Sequence, residues 1–470
     1  MVNSYLLDVI KVMTSSERQG FLQFLKAYSA DNHLLVKLFE QVLNVEPTFE
    51  PELLSKQNVY LALYGTEDQV HGKLEKLMSE LNKHLRTYLL QRMYVSEENE
   101  ILHQIHWAKW QRERGLFDRA KQTLSKLKSI REAEQQESLE KYQLIFLYSE
   151  EEHKWESTYN RVKGDLGVPQ LIQDLDLYFL NLRTALANRF FLQQKVAKLA
   201  DFNFSLDRLR SLENTSIQLA VNVKITQMLQ AETPNEKDAL ALMDFLIQHE
   251  TQLSEESLDH AYAFLRNSCT LLINAGHLEF VPIQHKIHLD NLKRGYFFIN
   301  DEISPNAYVN IVQIATRANE ISWAKEFTES FRNRLVGGDA DQFFYKLNMA
   351  QCFFSERAFE AASNYVPEAP SNSHYYQIAK RLELKIYYEL QSDLLIYKID
   401  AYRKYIERTA PKVASDNVRE LYLNFLKILH QLAQSPPKDK ARSARLIKRI
   451  EEKKFIAERS WLLEKARELG

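Results

Sequence analysis

Glycine and proline are scarce in this chain of 470 residues, with only 11 of each. Average usage is about 7% for glycine and about 5% for proline, so tight turns can form at few places. Leu, Lys, Glu, Gln, Arg and Ala fill the intervals, and these residues favour helices. No stretch of useful length alternates apolar and polar residues as a half-buried strand does. The sequence therefore predicts an all-α fold.

Cysteine, net charge and long apolar runs are also lacking. The two cysteines, Cys269 and Cys352, are too few for a disulfide framework or a cysteine metal cage, and this usage is typical of the reducing cytoplasm. The 61 basic and 63 acidic residues give a net charge of -2, so any contact with nucleic acid or anionic lipid has to be local. No run approaches the roughly 18 apolar residues of a membrane span, and no basic segment precedes the first apolar run. We expect a cytoplasmic protein without an export signal or membrane insertion.

Signatures of common catalytic sites are missing as well. Neither GxGxxG nor GxxxxGK occurs, and the adjacent glycines Gly337-Gly338 follow a predicted helix rather than a strand. There is no GxSxG elbow, and no catalytic signature surrounds either cysteine. We therefore predict a protein that is not an enzyme and holds no cofactor.

The chain does contain a short phrase that occurs twice, at residues 115–120 (GLFDRA) and 357–362 (RAFEAA). In both, an aromatic residue precedes an alanine by one helical turn, which is typical of the turn and second helix of a tetratricopeptide hairpin. Trp323-Ala324, with Phe327 and Phe331, is a looser third copy. These phrases predict an irregular α-solenoid of antiparallel helix pairs, with plain helix packing as the alternative.

Three parts are predicted along the chain. Residues 1–95 form an N-terminal helical domain of five helices, 96–435 form tetratricopeptide-like repeats, and 436–470 form C-terminal capping helices. Thr66 and Gln69 form a capping-box pattern that predicts the start of the fifth helix. Residues 164–169 are the best candidate hinge. The apolar stripe expected on the fifth helix comprises Val70, Leu74, Leu77, Met78, Leu81, Leu85, Tyr88, Leu89 and Met93.

Some polar clusters have the spacing of metal ligands. His103 and His106 lie one turn apart on a predicted helix with Glu100 a turn earlier, and His285 and His288 repeat that spacing. Glu150-Glu151-Glu152-His153 is an acidic run that could attract a cation. Solvated helix faces have the same composition, so we assign no metal, catalytic or cofactor residue.

The segment 438–454 carries a local charge of +5. It could contact phosphate, or it could be the outer face of a terminal capping helix whose inner face carries Leu446, Ile447 and Ile450. Trp461, Leu462 and Leu463 are expected to seal the last helix onto the array. The basic residues of the segment are Lys438, Lys440, Arg442, Arg445, Lys448, Arg449, Lys453 and Lys454, against Asp439, Glu451 and Glu452.

Several further phrases lie near the two ends of the chain. They are Phe21-Leu22-Gln23-Phe24-Leu25, Leu38-Phe39, Pro47-Thr48-Phe49, Leu77-Met78-Ser79-Glu80-Leu81, Lys385-Ile386-Tyr387-Tyr388-Glu389-Leu390, Leu423-Asn424-Phe425 and Trp461-Leu462-Leu463-Glu464-Lys465. In these the chain resembles a family of uncharacterised bacterial proteins of similar length. That resemblance implies an N-terminal helical region followed by tetratricopeptide-like repeats, and it implies no activity.

Two functions fit these patterns. The first is a non-catalytic protein–protein interaction scaffold, capable of self-association, whose helical groove holds a partner's peptide or helix. Candidate anchors for that partner are Tyr142, Tyr148, Tyr178 and Tyr262. The alternative is a transcriptional or nucleic-acid-binding regulator in which helices 52–64 and 67–94 form a helix-turn-helix and the repeats act as a sensor. Its second helix opens with Glu67 and Asp68, which would meet phosphates badly.

Overall fold

The computed structural model describes residues 4–28, 33–66, 70–96, 99–128, 136–159, 166–196, 204–205, 215–231, 235–339, 342–368, 374–413 and 416–470. Over these residues the chain forms 22 α-helices, and a two-residue β-ladder pairs Phe298–Ile299 (β1) with Glu302–Ile303 (β2). The predicted all-α fold is confirmed. None of the helices in the described part of the chain combines the length and the apolar character that a membrane span needs.

The chain divides into two compact units. Unit 1 comprises residues 1–129 and 150–166, and unit 2 comprises 130–149 and 167–470. The borders predicted at 95 and 435 lie inside these units, so the division into three parts stays a prediction. Residues 164 and 165 of the predicted hinge lie outside the described residues.

Unit 1 begins with the five helices that the sequence predicts. Their apolar faces enclose one core, in which the rings of Phe21 and Phe39 meet edge to face with centroids 4.9 Å apart. The helices of unit 1 are α1 (Tyr5–Val12), α2 (Ser15–Tyr28), α3 (His33–Leu43), α4 (Lys56–Tyr64), α5 (Lys73–Tyr94), α6 (Glu100–Glu113), α7 (Phe117–Leu127) and the second half of α8 (Leu139–Tyr159).

Helix α5 begins later than its capping pattern predicts. Gly72 has a φ of 80° and ends the non-helical segment, so the helix starts at Lys73 rather than near Thr66. Gln69, the second residue of the predicted capping box, lies outside the described residues. The core of the expected stripe is correct, since Leu74, Leu77, Leu81 and Leu85 are buried, whereas Val70 and Met93 at its two ends are exposed.

The helices of unit 2 follow one another along the chain and pack mainly on their sequence neighbours. Next-but-one pairs also meet, among them α14 with α16 and α16 with α18. These helices are α9 (Val168–Val196), α10 (Ile217–Gln230), α11 (Glu236–Gln248), α12 (Glu255–Ala275), α13 (Phe280–Arg294), α14 (Pro305–Arg317), α15 (Ile321–Phe331), α16 (Phe343–Ser355), α17 (Phe359–Tyr365), α18 (His374–Glu389), α19 (Leu395–Val413), α20 (Asp416–Ala433), α21 (Lys440–Glu451) and α22 (Arg459–Glu468).

The repeated phrases form turns of one geometry. In the α6–α7 turn Gly115 has a φ of 77°, and the amide of Leu116 donates to the carbonyl of Gln111 at 2.9 Å. This is the Schellman bond that ends a helix at a left-handed residue. The α14–α15 turn repeats it with Asn319 (φ 65°) and a bond from Glu320 to Ala315 of 2.9 Å, and the α16–α17 turn with Arg357 (φ 62°) and a bond from Ala358 to Phe353 of 3.0 Å.

Small residues let the helices of each pair approach closely. Ala108 and Ala120 are fully buried where α6 meets α7, and Ala350 and Ala362 are fully buried where α16 meets α17. A side chain without a γ-carbon leaves room for the aromatic residues that fill the notch beside it. The sequence phrase thus corresponds to a local packing unit in both places.

Replacing Gly115 by alanine tests this turn. An L side chain costs about 1 kcal/mol in the left-handed region, so we expect Gly115→Ala to lower the free energy of unfolding of unit 1 by about that amount in urea titrations. Arg357→Ala is the matched control, because that position already holds an L residue at positive φ, and we expect a change within about 0.5 kcal/mol. Equal losses in the two variants would contradict the assignment of the cost to the backbone of Gly115.

Candidate functional site

A cavity of about 580 Å³ opens in unit 2 where the carboxyl ends of α12, α14, α16 and α18 meet the start of α22. Its volume lies in the range of roughly 300–1,000 Å³ that is typical of ligand sites. Leu278, Val281, Phe354 and Phe359 supply apolar wall, and charged side chains supply the rest. We take this cavity as the candidate binding site and call it the cleft.

Glu458 is the residue that joins the two sides of the cleft. It immediately precedes α22, and its backbone is left-handed, with φ 55° and ψ 32°. Its buried carboxylate accepts hydrogen bonds from Lys385 Nζ at 2.8 Å and Arg381 Nε at 3.2 Å, both on α18. A non-glycine residue in this region costs of order 1–3 kcal/mol. The ion pairs hold the carboxylate in place against that cost.

More positive than negative charges surround the carboxylate of Glu458. Burial by itself raises the pKa of a carboxyl group, but the charges of Lys385 and Arg381, with a smaller contribution from Arg317, outweigh it and hold the pKa of Glu458 well below its usual range. The pKa of Lys385 is also lowered, because its burial outweighs the attraction of Glu458. One carboxylate therefore balances the charges of three nearby cations, Lys385, Arg381 and Arg317.

A second ion-pair network binds α22 to the rest of the cleft. Lys465 is buried and lies 2.9 Å from carboxylate oxygens of both Glu389 on α18 and Glu468 on its own helix. Trp461 donates its indole N–H to Glu389 at 2.8 Å, and Leu462 beside it is fully buried. Trp461, Leu462 and Leu463 therefore pack the last helix against the core of this region, and the repeat array onto which they were expected to seal it stays a prediction.

Five cations and three carboxylates line the cleft, which leaves a surplus of two positive charges. The described lining contains neither histidine nor cysteine, the most frequent general base and a frequent nucleophile. The arrangement is suited to holding an anionic group. The cations are Arg317, Arg357, Lys385, Arg459 and Lys465, and the carboxylates are Glu389, Glu458 and Glu464.

No known protein family, curated protein or solved structure matches this chain.

The histidine pairs do not come together as metal sites. Tyr94 separates the first pair, since its hydroxyl lies 2.6 Å from Nδ1 of His106 and its ring lies 4.3 Å from that of His103. In the second pair His285 packs against Trp323, whereas burial and the charge of Arg266 lower the pKa of His288 to about 3. His288 therefore stays neutral in the interior.

One group among the described residues does bring three ligand atoms of the right kinds within 4.8 Å of one another, namely Glu236, His277 and Glu279. Nδ1 of His277 contacts Glu236 and lies 3.2 Å from Glu279. All three side chains are well exposed to solvent. Surface ion pairs account for this geometry.

The acidic run is divided between surface and interior. Glu151 is buried and accepts two hydrogen bonds from Arg112, at 2.6 and 3.2 Å. Glu150 pairs with Lys154 on the surface of the same helix. The run therefore stabilises the packing of α8 on α6 within unit 1.

The tyrosines expected as partner anchors are mostly core residues. Tyr142, Tyr148 and Tyr262 are buried, and the hydroxyl of Tyr142 donates to Ser216 at 2.8 Å. These three cannot offer a surface to a partner. Tyr178 is half-buried and stacks on Phe146.

The basic residues of α4 and α5 and those of the segment 438–454 lie in different surroundings. In the predicted helix-turn-helix, Lys56 on α4 pairs with Glu75 at 2.6 Å and Lys73 on α5 covers the ring of Tyr64 at 4.0 Å. In the C-terminal segment Leu446 and Ile450 face inward and are buried, and most of the basic residues are exposed. This exposure agrees with the basic outer face, one of the two interpretations of the segment, and the capping role of the helix stays a prediction.

The cleft itself was not predicted. Its cations come from α14, the α16–α17 turn, α18 and α22, and the first and last of them, Arg317 and Lys465, are 148 positions apart. The available signal was that Arg357 stands at the turn position of the repeated phrase 357–362.

Removing the charge of Glu458 tests the junction between α18 and α22. Glu458→Gln leaves Lys385 and Arg381 buried without a counter-charge, and we expect a loss of about 3–5 kcal/mol in unfolding free energy at neutral pH. Because the folded pKa of Glu458 lies below its unfolded value, its contribution is complete above about pH 5 and falls as the pH drops. The difference from wild type in urea titrations should therefore shrink in acid.

Glu464→Gln is the control for that variant. Glu464 lies on the same helix, but its partner Arg357 is 71% exposed, and its second partner Lys465 keeps Glu389 and Glu468, so the loss should stay under about 1 kcal/mol. Similar losses from the two variants, or a Glu458 effect that does not change with pH, would contradict the role given to Glu458.

Proposed function

We propose that this protein is a non-catalytic protein–protein interaction scaffold of tetratricopeptide-like helix pairs, with the cleft as its partner-binding surface. The observation that carries the proposal is the recurrence of one turn geometry, with buried alanines beside it, in α14–α15 and α16–α17, two helix pairs whose first helices end at an open cleft. Helix pairs of this kind usually act by presenting a concave surface.

The repeat assignment is supported by the order of packing. Within unit 2 most helices pack on the next one along the chain, and α16 also contacts both α14 and α18. First helices of successive hairpins contact one another in this way in a solenoid. Membership of the family of bacterial helical-repeat proteins, and a cytoplasmic location, belong to the same proposal.

The surface of the cleft is suited to a polypeptide segment. Leu278 is 48% exposed at its edge, and Phe354 and Phe359 are half-buried beside it. Apolar anchors next to charged groups give a partner both affinity and orientation. The surplus of positive charge favours a segment that carries acidic groups.

A nucleic-acid-binding regulator has less support. In the two helices proposed to contact nucleic acid, Lys56 already pairs with Glu75 and Lys73 already covers the ring of Tyr64. The segment between α4 and α5 includes residues 67–69, which lie outside the described residues.

Affinity capture tests the scaffold. The full chain should recover a stoichiometric partner from lysate of its source cells, and Leu278→Glu should lose that partner because it places a carboxylate at the apolar edge of the cleft. Leu394→Glu is the matched control, since Leu394 is 55% exposed in unit 2 and does not line the cleft.

The control variant should capture the partner as the wild type does. Recovery of no partner, a second copy of the chain included, would overturn the scaffold. Equal capture by the Leu278 and Leu394 variants would overturn the assignment of binding to the cleft.

A further inference from the structure

Helix α9 carries a continuous apolar stripe that faces solvent. The residues of the stripe alternate at intervals of four and three positions, and they are Val168, Ile172, Leu175, Phe179, Leu182 and Leu186. Leu182 is half-buried, and the other five are between 40% and 53% exposed. At 1.5 Å per residue the stripe is about 27 Å long. Exposed apolar residues of a monomer are usually scattered singly, so a contiguous stripe marks an interaction surface.

The opposite side of α9 is already buried in the core of unit 2. Leu180, Ala187 and Phe191 belong to that core, and Asn188 between them donates to the carbonyl of Asn222 on α10 at 2.9 Å. At about 100° per residue, these positions lie across the helix from the stripe. A surface helix of a globular protein normally has one apolar side. The packing of the described residues therefore accounts for one apolar side of α9 and leaves the other without a partner.

The spacing of the stripe indicates that its partner is another helix. Apolar residues at alternating intervals of four and three positions have an average period of 3.5, which keeps them on one line when two helices pack side by side. A hollow of about 310 Å³ lies along the second half of the stripe, lined by Phe179, Leu182, Leu186 and Phe190. Such a hollow can receive the side chains of a facing helix, as in knobs-into-holes packing.

The charges beside the stripe match those of a second copy of α9. Asp176 and Arg183 lie seven positions apart, on the same edge of the stripe. Both are exposed, and neither forms an ion pair with a described residue, although Arg183 lies over the ring of Phe204 at 5.3 Å. When two copies pair antiparallel about the middle of the stripe, Phe179 of one meets Leu182 of the other, and Asp176 of one faces Arg183 of the other. A parallel pair would leave both charges without a counter-charge.

We propose that the stripe on α9 is a homodimer interface, on which a second copy of the chain packs its own α9 antiparallel. A two-fold axis through the middle of the stripe makes the ion pair between Asp176 and Arg183 twice, as the self-complementary surface of a symmetric dimer requires. None of the stripe residues is among those that line the cleft. The inference therefore goes beyond the proposed function, and the dimer leaves the cleft available to a different partner.

Sedimentation equilibrium of the purified full chain tests the dimer. The wild type should have twice the mass of one chain, and Phe179→Glu should raise the dissociation constant about a hundredfold or more, because it places two carboxylates in the apolar centre of the interface. The fold of this variant should be preserved, since Phe179 is 49% exposed in the single chain, and circular dichroism checks this. Tyr397→Glu is the matched control, because Tyr397 is an aromatic residue of α19 that is 71% exposed, and it should dimerise as the wild type does.

Charge reversal tests the antiparallel arrangement. Asp176→Arg gives each chain two arginines on the edge of the stripe, and Arg183→Asp gives each chain two aspartates. Each variant alone should dimerise about tenfold more weakly, because two attractive contacts become repulsive. An equimolar mixture of the two variants should recover the affinity of the wild type, since both contacts of the mixed dimer join opposite charges.

A monomeric wild type would overturn the dimer and would show that the chain itself covers the stripe. Unchanged dimerisation of Phe179→Glu, or an equal loss in Tyr397→Glu, would overturn the assignment of the interface to α9. A mixture of the charge variants that stays as weak as either variant alone would overturn the antiparallel pairing. These measurements use purified chain alone, so their failure is distinct from failure of the capture experiment.

Discussion

The buried contact of Glu458 with Lys385 and Arg381 is the constraint on which the cleft depends. Desolvating three charged groups is costly, and the cost is offset only while the carboxylate lies between the two cations. That requirement fixes the entry of α22 against α18. The apolar side of α22, with Leu462 and Ala466 fully buried, then completes the core that α19, α20 and α21 begin. The apolar side chains of α22 drive its burial, and the ion pairs of Glu458 determine the position in which it packs.

A helix-ending turn brings one of the cations to this edge of unit 2. A Schellman turn places one residue at positive φ just after the helix, where its side chain points away from the pair. At Gly115 this residue is glycine, but at Asn319, Arg357 and Gln391 it is a polar L residue. The backbone cost is small beside the packing of the helix pair, so the position is free to vary. In α16–α17 it carries a cation into the cleft.

Sequence reasoning reached the fold class, the five N-terminal helices and the two alanine-based hairpins, because local periodicity and small residues report local packing. The start of α5 was misplaced, since a left-handed glycine overrides a capping pattern. Tyr142, Tyr148 and Tyr262 were proposed as anchors, but an aromatic residue has the same helical spacing in a core and on a groove. The cleft could not be predicted from the sequence, because its charged residues belong to segments that are far apart along the chain and meet only in the folded structure.

The carboxylate of Glu458 could cap the first turn of its own helix or bond to α18, and it bonds to α18. An N-cap residue normally accepts hydrogen bonds from the first turn of its helix, and a short Ser or Asp is best at that task. A glutamate is long enough to reach α18 instead, and its left-handed backbone directs it there. The first turn of α22 consequently stays uncapped at the wall of a cavity that already has more cations than carboxylates. The uncapped start of α22 thus follows from the same bond that holds the helix in place.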